Sequence, residues 1–395
     1  MSKKSSKNAS KSVILSIFCL FIGIIASFSV LTYINLPLTE ELVLTDDVYY
    51  SKSETASNNN ITLSNATGEV SVHFLELGNK YTGDCTYIKS GDIDILIDCG
   101  SKASSIPTVA DYLNKYVTDK ILEYVIVTHA HQDHYAGFAT TTKIDSIFDL
   151  FDCEKIITFS TTNQKMSADY LSGKITTYAT STTENASLYN NFLRELNAEV
   201  SAGATHLTAL ETVNQSFDIG NGASLKILDN YYYNNKAHSE NDYSVCCLVT
   251  HGTRNFLFTG DLEEDGEEYL VQRNQLPEVE LYKAGHHGSK TSSSSLLMST
   301  VKPKHVCVCC CAGSPEYTSD NLNQFPTQEF INNVAPYTDK IYVTTLCVDY
   351  KNNLFTSMNG NIVCISTQAS FTVNCSNNNT ILKETQWFKE NKINN

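Results

Sequence analysis

From Val70 onward the chain alternates between short runs of two-residue period and stretches of helical period. VSVHFLEL (70–77), CTYIKS (85–90) and IDILIDCG (93–100) predict three consecutive strands. A helix is expected near 107–117, then a buried strand in EYVIVTHA and another in IITFST near 156–161. ENASLYNNFLRELN (184–197) predicts a helix. SLKILD, SVCCLVTHG and TRNFLFTGD read as three strands, the last two joined by a hairpin turn at Gly252–Thr253. EEDGEEYLVQRN predicts a helix, VELYKAG a strand and SSSSLLMSTVKP a helix. KHVCVCC, KIYVTTLC, NIVCIST and SFTVNC complete the strands. Strand runs interrupted by helices in both halves predict an α/β chain, two packed sheets with helices outside, an αββα sandwich over 69–375. Residues 376–395 read as a polar, ragged tail.

The N-terminus follows a different pattern. Residues 1–12 carry four lysines and no acid, and 13–36 contain no charge. At about 1.5 Å per residue that run is long enough to cross a hydrocarbon core of roughly 30 Å. Basic before and acidic after predicts a single-pass membrane anchor, with the N-terminus cytoplasmic and the domain outside. The alternative is secretion after signal-peptide cleavage. Residues 37–68 hold a polar, aperiodic stretch and read as a linker, with sequons at Asn60 and Asn65.

Composition narrows the chemistry. The 395 residues carry 28 Lys+Arg against 43 Asp+Glu, a net charge of −15. That balance excludes constitutive nucleic-acid binding by bulk charge. It does not exclude metal ions meeting a phosphate locally. Thirteen cysteines are present, one of them in the apolar N-terminal run, and four crowd KHVCVCCCA as packing residues of a buried strand. Their spacing does not form a structural zinc cluster, and pairing is open.

The densest chemical signal is THAHQDHYAG (128–137), which places His129, His131, Asp133 and His134 directly after an apolar strand. Imidazole and carboxylate suit borderline divalent ions such as zinc. His129 and His131 can converge on one ion, and Asp133 and His134 can reach a second. Three of only ten histidines within six positions is a poor fit to chance.

With H-x-H-x-D-H complete, the sequence resembles the metallo-β-lactamase fold superfamily over most of 70–310. VHFLELGNKYTGD, NDYS (241–244) and AGHHGS resemble the ComEC-like branch, the hydrolase domain of competence proteins. The resemblance implies that His129 and His131 bind the first metal, and Asp133 and His134 the second. It implies that Asp261 of FTGDL bridges them and that His286 completes the second site, with His287 as the other choice. Two ions so held, zinc in the superfamily's manner with manganese as the alternative, can share a hydroxide that Asp133 orients.

The wider superfamily places a third histidine on the first metal. Here the candidates are His206 and His238, and the branch commonly lacks this ligand. The opening motif has NKYT before Gly83–Asp84, and Glu76 where Asp is usual. Asp84, Asp98, Asn241, Ser244, Lys283 and Ser289 are candidates for contacts with an anionic substrate or with the ligands. His73, His251 and His305 read as structural. The expected activity is hydrolysis of a phosphodiester, nucleic acid included. Ester, thioester or lactone hydrolysis is the alternative, and a non-catalytic surface binding module is a third reading.

Overall fold

The computed structural model describes residues 68–163 and 186–393. The apolar run 13–36, the linker and both sequons lie outside the described residues. Among the described residues, no helix is long and apolar enough to cross a membrane.

Two eight-stranded sheets form the described domain. The first contains β1 (Val70–Phe74), β2 (Asp84–Ser90), β3 (Ile93–Gly100), β4 (Ile121–Val127), β5 (Asp152–Thr158) and β6 (Thr205–Thr208). The second runs through β7 (Ser216–Asp218), β8 (Ala223–Ile227), β9 (Cys247–His251), β10 (Arg254–Phe258), β11 (Leu281–Lys283), β12 (His305–Ala312), β13 (Ile341–Asp349) and β14 (Leu354–Ser357). The chain then returns to the first sheet: β15 (Ile362–Ser366) pairs antiparallel with β1, and β16 (Phe371–Cys375) flanks it.

Strands β3 to β6 are mutually parallel, as are β10 to β13. Parallel neighbours need crossovers, and helices such as Glu264–Arg273 and Ser295–Val301 supply them. Such strands are covered on both faces. In β10, Phe256 and Phe258 join the cluster shared with the first sheet, where Phe74 meets Phe258 at a ring distance of 6.5 Å. Leu257, pointing the other way, packs with Leu270, Leu297 and Met298 of the outer helices.

The same alternation accounts for the cysteine-rich strand. Cys307 and Cys309 face the inter-sheet core, while Val306, Val308 and Cys310 face the outer helices. None of the twelve described cysteines is in a disulfide, and all but Cys347 are buried. His73 bonds Tyr112 Oη and Ser71 Oγ, both at 2.8 Å. His251 ends β9 and lies 2.9 Å from Ser366 Oγ, tying the two sheets. The hairpin at Gly252–Thr253 joins His251 to Arg254 in register, with Gly252 at φ +58.

The C-terminus differs from the ragged tail expected over 376–395. A turn at Leu382–Glu384 leads into the helix Gln386–Asn391, and Leu382 and Phe388 are buried with the outer helices. Two apolar anchors six positions apart are too sparse to show as periodicity, yet they are enough to dock a single short helix.

Candidate metal centre

Both sheets bring their functional ends to one place. Asp84 opens β2 and stands opposite Gly100, the last residue of β3. The 128–134 loop leaves the C-terminal end of β4, Asp261 follows β10, and His286 and His287 follow β11. The site therefore lies beyond the carboxyl ends of parallel strands in both sheets, where open α/β sheets generally carry ligands.

Two glycines make the approach possible. Gly260 has φ +55, and a Cβ there would lie 2.8 Å from Ser244 Oγ and 2.9 Å from Thr128 Cβ. Gly137, three residues after His134, lies against Cys99, whose Sγ would be 2.2 Å from an added Cβ. Three non-glycine residues of the site also hold left-handed backbone: Asp98 (φ 57), His286 (φ 47) and His287 (φ 56). Each such residue costs on the order of 1–3 kcal/mol and persists where surrounding contacts enforce it.

At the centre, Asp84, His134, Asp261 and His287 bring ligand atoms within 4.8 Å of one another. These four, with His129 and Asp98, are each no more than 2% exposed. His134 Nε2 is 3.0 Å from Asp261 Oδ2, and its Nδ1 is 2.7 Å from Asp98 Oδ2. Asp98 also accepts from Thr128 N and Thr128 Oγ1, both at 2.7 Å. A carboxylate bound to one ring nitrogen fixes the tautomer and aims the other, the usual support of a metal-ligating histidine.

His287 Nδ1 lies 2.9 Å from the Cys309 carbonyl, while its Nε2 is 3.2 Å from Asp261 Oδ2 and 3.4 Å from Asp133 Oδ2. His286 is further out, its side chain 22% exposed and its Nε2 3.9 Å from Asp261 Oδ2. Its Nδ1 is 3.0 Å from Thr291 Oγ1. Of the two histidines, His287 sits inside the cluster and His286 sits at the rim.

His129 and His131 form an adjacent pair, Nε2 to Nδ1 at 3.1 Å. His129 Nδ1 is 3.1 Å from Thr128 Oγ1 and 3.4 Å from Ser244 Oγ. Ser244 Oγ also accepts from Asp261 N at 3.0 Å. Asn241 donates to Glu263 Oε1 at 2.9 Å, and Ser289 Oγ accepts from Thr291 N at 3.2 Å. His206 is occupied at the β5–β6 edge, 2.9 Å from Thr158 Oγ1. His238 is exposed near Asp242. Neither joins the central cluster.

Of the two contacts expected of Lys283, with an anionic substrate or with the ligands, the structure shows the second. Lys283 is 3% exposed, its ammonium bonds Asp84, and Nζ is 3.2 Å from the Gly260 carbonyl and 3.7 Å from Asp261 Oδ1. The alternation of β11 is the cause: Tyr282 faces the outer helices, so Lys283 faces inward between the sheets.

The electrostatics follow from crowding charge away from water. Burial works to raise Asp84 and Asp261, but Lys283 and His287 hold the first below the ordinary range, and His134 and His287 hold the second well below it. Burial alone would depress His134, yet Asp261 and Asp98 hold it well above the ordinary imidazole range. His129 is lowered by burial and by its neighbours His134 and His131. Asp84 Oδ2 is paired with Lys283, while Asp84 Oδ1, Asp261 Oδ1 and His287 Nε2 are buried beside charged neighbours without a hydrogen bond of good geometry. Acids that hold imidazoles protonated, beside buried donor atoms with no hydrogen bond of good geometry, are the donor set that a divalent cation satisfies on displacing protons.

Several contributors were not singled out from the sequence. Thr128 and Glu263 flank the recognised ligands and could have been flagged by adjacency. Glu240 is less legible. Burial raises its carboxyl, opposed by Thr162, by Asn163 N and by nearby His131. Tyr317, whose Oη is 3.5 Å from Asp133 Oδ2, comes from a loop with no motif.

Residues 78–144 match the model of the metallo-beta-lactamase superfamily. The chain is 34% identical over 110 residues to competence protein ComA of Neisseria gonorrhoeae, covering 27% of this chain and 15% of that protein. It is 37% identical over 71 residues to recombination protein 2 of Haemophilus influenzae, covering 18% of this chain and 9% of that protein. The matched part is thus a small fraction of either relative. The superfamily-fold protein YhfI of Bacillus subtilis superposes with a TM-score of 0.40 at 12% identity, over 73% of this chain and 99% of that one.

Proposed function

We propose that this chain is a membrane-anchored, dinuclear metal-dependent hydrolase that cleaves a phosphodiester. The observation that carries the reading is the convergence of Asp84, His134, Asp261 and His287 within 4.8 Å, from four separate segments, with buried donor atoms among them that lack a hydrogen bond of good geometry. In this reading His129, His131 and Asp261 hold one cation, and Asp133, His134, Asp261 and His287 hold the other. When bound, the cations supply Lewis acidity toward the phosphoryl oxygens and lower the pKa of a water.

The protein's own residues do the rest. Asp98 and Thr128 keep His134 Nε2 aimed at Asp261. Lys283 neutralises Asp84, so that the acid-rich cluster does not repel an anionic diester. Asp133 is the least buried of the acids in the cluster, with its side chain 20% exposed, and takes the proton of the attacking water at Oδ2. His286, bonded to Thr291, stands at the exposed rim, where the leaving oxygen takes its proton from solvent. The name of the gonococcal relative supports nucleic acid as one diester, and the −15 net charge favours recognition by the site rather than by a basic surface. The uncharged run 13–36 behind four lysines supports the anchor, with the domain outside the cell.

The test is a hydrolysis panel on the full chain in detergent, loaded with zinc or manganese. It should include a generic phosphodiester, single- and double-stranded DNA, an ester and a lactone. Diester cleavage that falls to background in His131→Ala and after chelation is the expected outcome. Turnover of the ester or lactone alone would move the substrate assignment, and activity retained by His131→Ala would refute the metal mechanism.

A further inference from the structure

Resting on the hydrolase reading, we infer that Tyr317 and Phe325 form a stacking platform that selects substrates with a planar ring beside the scissile phosphodiester. Tyr317 is the one large exposed aromatic among the described residues, at 60%, and its hydroxyl is turned toward Asp133 of the site. An exposed tyrosine at random would have no reason to face a catalytic carboxylate. Its hydroxyl donates toward Asp133 Oδ2 at 3.5 Å. Its ring lies 5.4 Å from that of Phe325, which in turn lies 5.9 Å from His286 and 6.1 Å from His287. One edge of the platform thus touches the residues assigned to the reaction, and its open face looks outward.

The platform is held rigidly enough to select. Gly313 N donates to the Phe325 carbonyl at 2.9 Å, closing the base of the loop. Lys392, buried at the end of the chain, donates to the carbonyls of Asn321 and Gln324 at 2.5 and 2.9 Å. Glu316 accepts from Thr82 N at 3.0 Å, which fastens the loop to the NKYT stretch where the opening motif departs from its relatives. The departure and the exposed tyrosine therefore belong to one wall. Aromatic faces bind planar rings by stacking, with each such contact worth about 1–3 kcal/mol. A glycerol- or sugar-phosphate polymer has no planar ring to offer that face.

Two substrates with one non-aromatic leaving group isolate the effect: the methyl ester of thymidine 5′-phosphate and ethyl methyl phosphate, with methanol release as the readout. The full chain should prefer the thymidine ester. Tyr317→Ala should reduce that preference about tenfold, chiefly through KM, and Tyr317→Phe should keep it. A parallel titration of the metal-loaded chain with thymidine 5′-phosphate and with ethyl phosphate reads binding without turnover. Ring-dependent binding that needs Tyr317, in the absence of any diester cleavage, would sink the hydrolase reading and leave the platform standing. Cleavage with equal preference in wild type and Tyr317→Ala, or equal binding of the two phosphates, would overturn the platform.

Discussion

At the residue scale, the centre depends on side chains that never need to touch a substrate. Asp98 is the clearest case. It holds left-handed backbone, accepts from Thr128 twice, and takes the Nδ1 side of His134 at 2.7 Å. Replacing it by Asn keeps the shape but removes the charge that fixes the ring. Loss of such a support typically lowers metal affinity about 10- to 100-fold. Asp98→Asn should therefore weaken zinc binding by that factor in a competition titration, with the fold retained by circular dichroism. An unchanged affinity would mean that Thr128 alone orients His134. Asp98 could be named from IDCG, because an acid at a strand end is a visible pattern. The choice between His286 and His287 could not, because it depends on two successive left-handed residues that turn the second ring inward and leave the first at the rim.

Whole elements were legible where they are buried on both sides. The β4 run EYVIV and the β12 run HVCVCC show as unbroken apolar stretches because each packs a core on either face. Three of the four sheet edges, β6, β7 and β14, escaped the periodicity. Edge strands are short, face water on one side, and need few apolar positions. The C-terminal helix was missed for a similar reason, since Leu382 and Phe388 anchor it alone. Polar anchors are hidden too. Glu267, in the helix Glu264–Arg273, accepts from Ser293 N at 2.6 Å and Ser294 N at 2.7 Å, pinning the start of the helix Ser295–Val301. Burial pushes its carboxyl up to about 7. The unfolded chain releases this proton near the ordinary glutamate value, whereas the folded chain holds it until about pH 7. The folded state therefore binds more protons over that window, and stability falls as pH rises through it, levelling off above. Urea unfolding at steps between pH 4.5 and 7.5 should show this decline flattened in Glu267→Gln. A decline of equal slope in the variant would place the titrating group elsewhere.

On the scale of the whole molecule, neither sheet holds a complete centre. The first sheet supplies Asp84, His129, His131, Asp133 and His134, and the second supplies Asp261 and His287. That division was readable as ligands scattered along the chain and expected to meet at one rim, whereas the return of β15 and β16 to the first sheet after the second is built was not. A cation gripped by both sheets binds the docked, folded state and not the separated one. Zinc should then stabilise the whole chain by linkage, about 2.7 kcal/mol when free zinc is 100 times its Kd. The gain should appear as a shift of a single cooperative transition, because the metal joins the two layers rather than tightening one. Asp261→Asn removes the one carboxylate placed against His134, His286 and His287 together, and should abolish most of the zinc-dependent shift when each protein is compared with its own metal-free form. A full zinc shift in that variant would mean that the ions are held by the first sheet alone, and the joint between the sheets would lose its role as the metal centre.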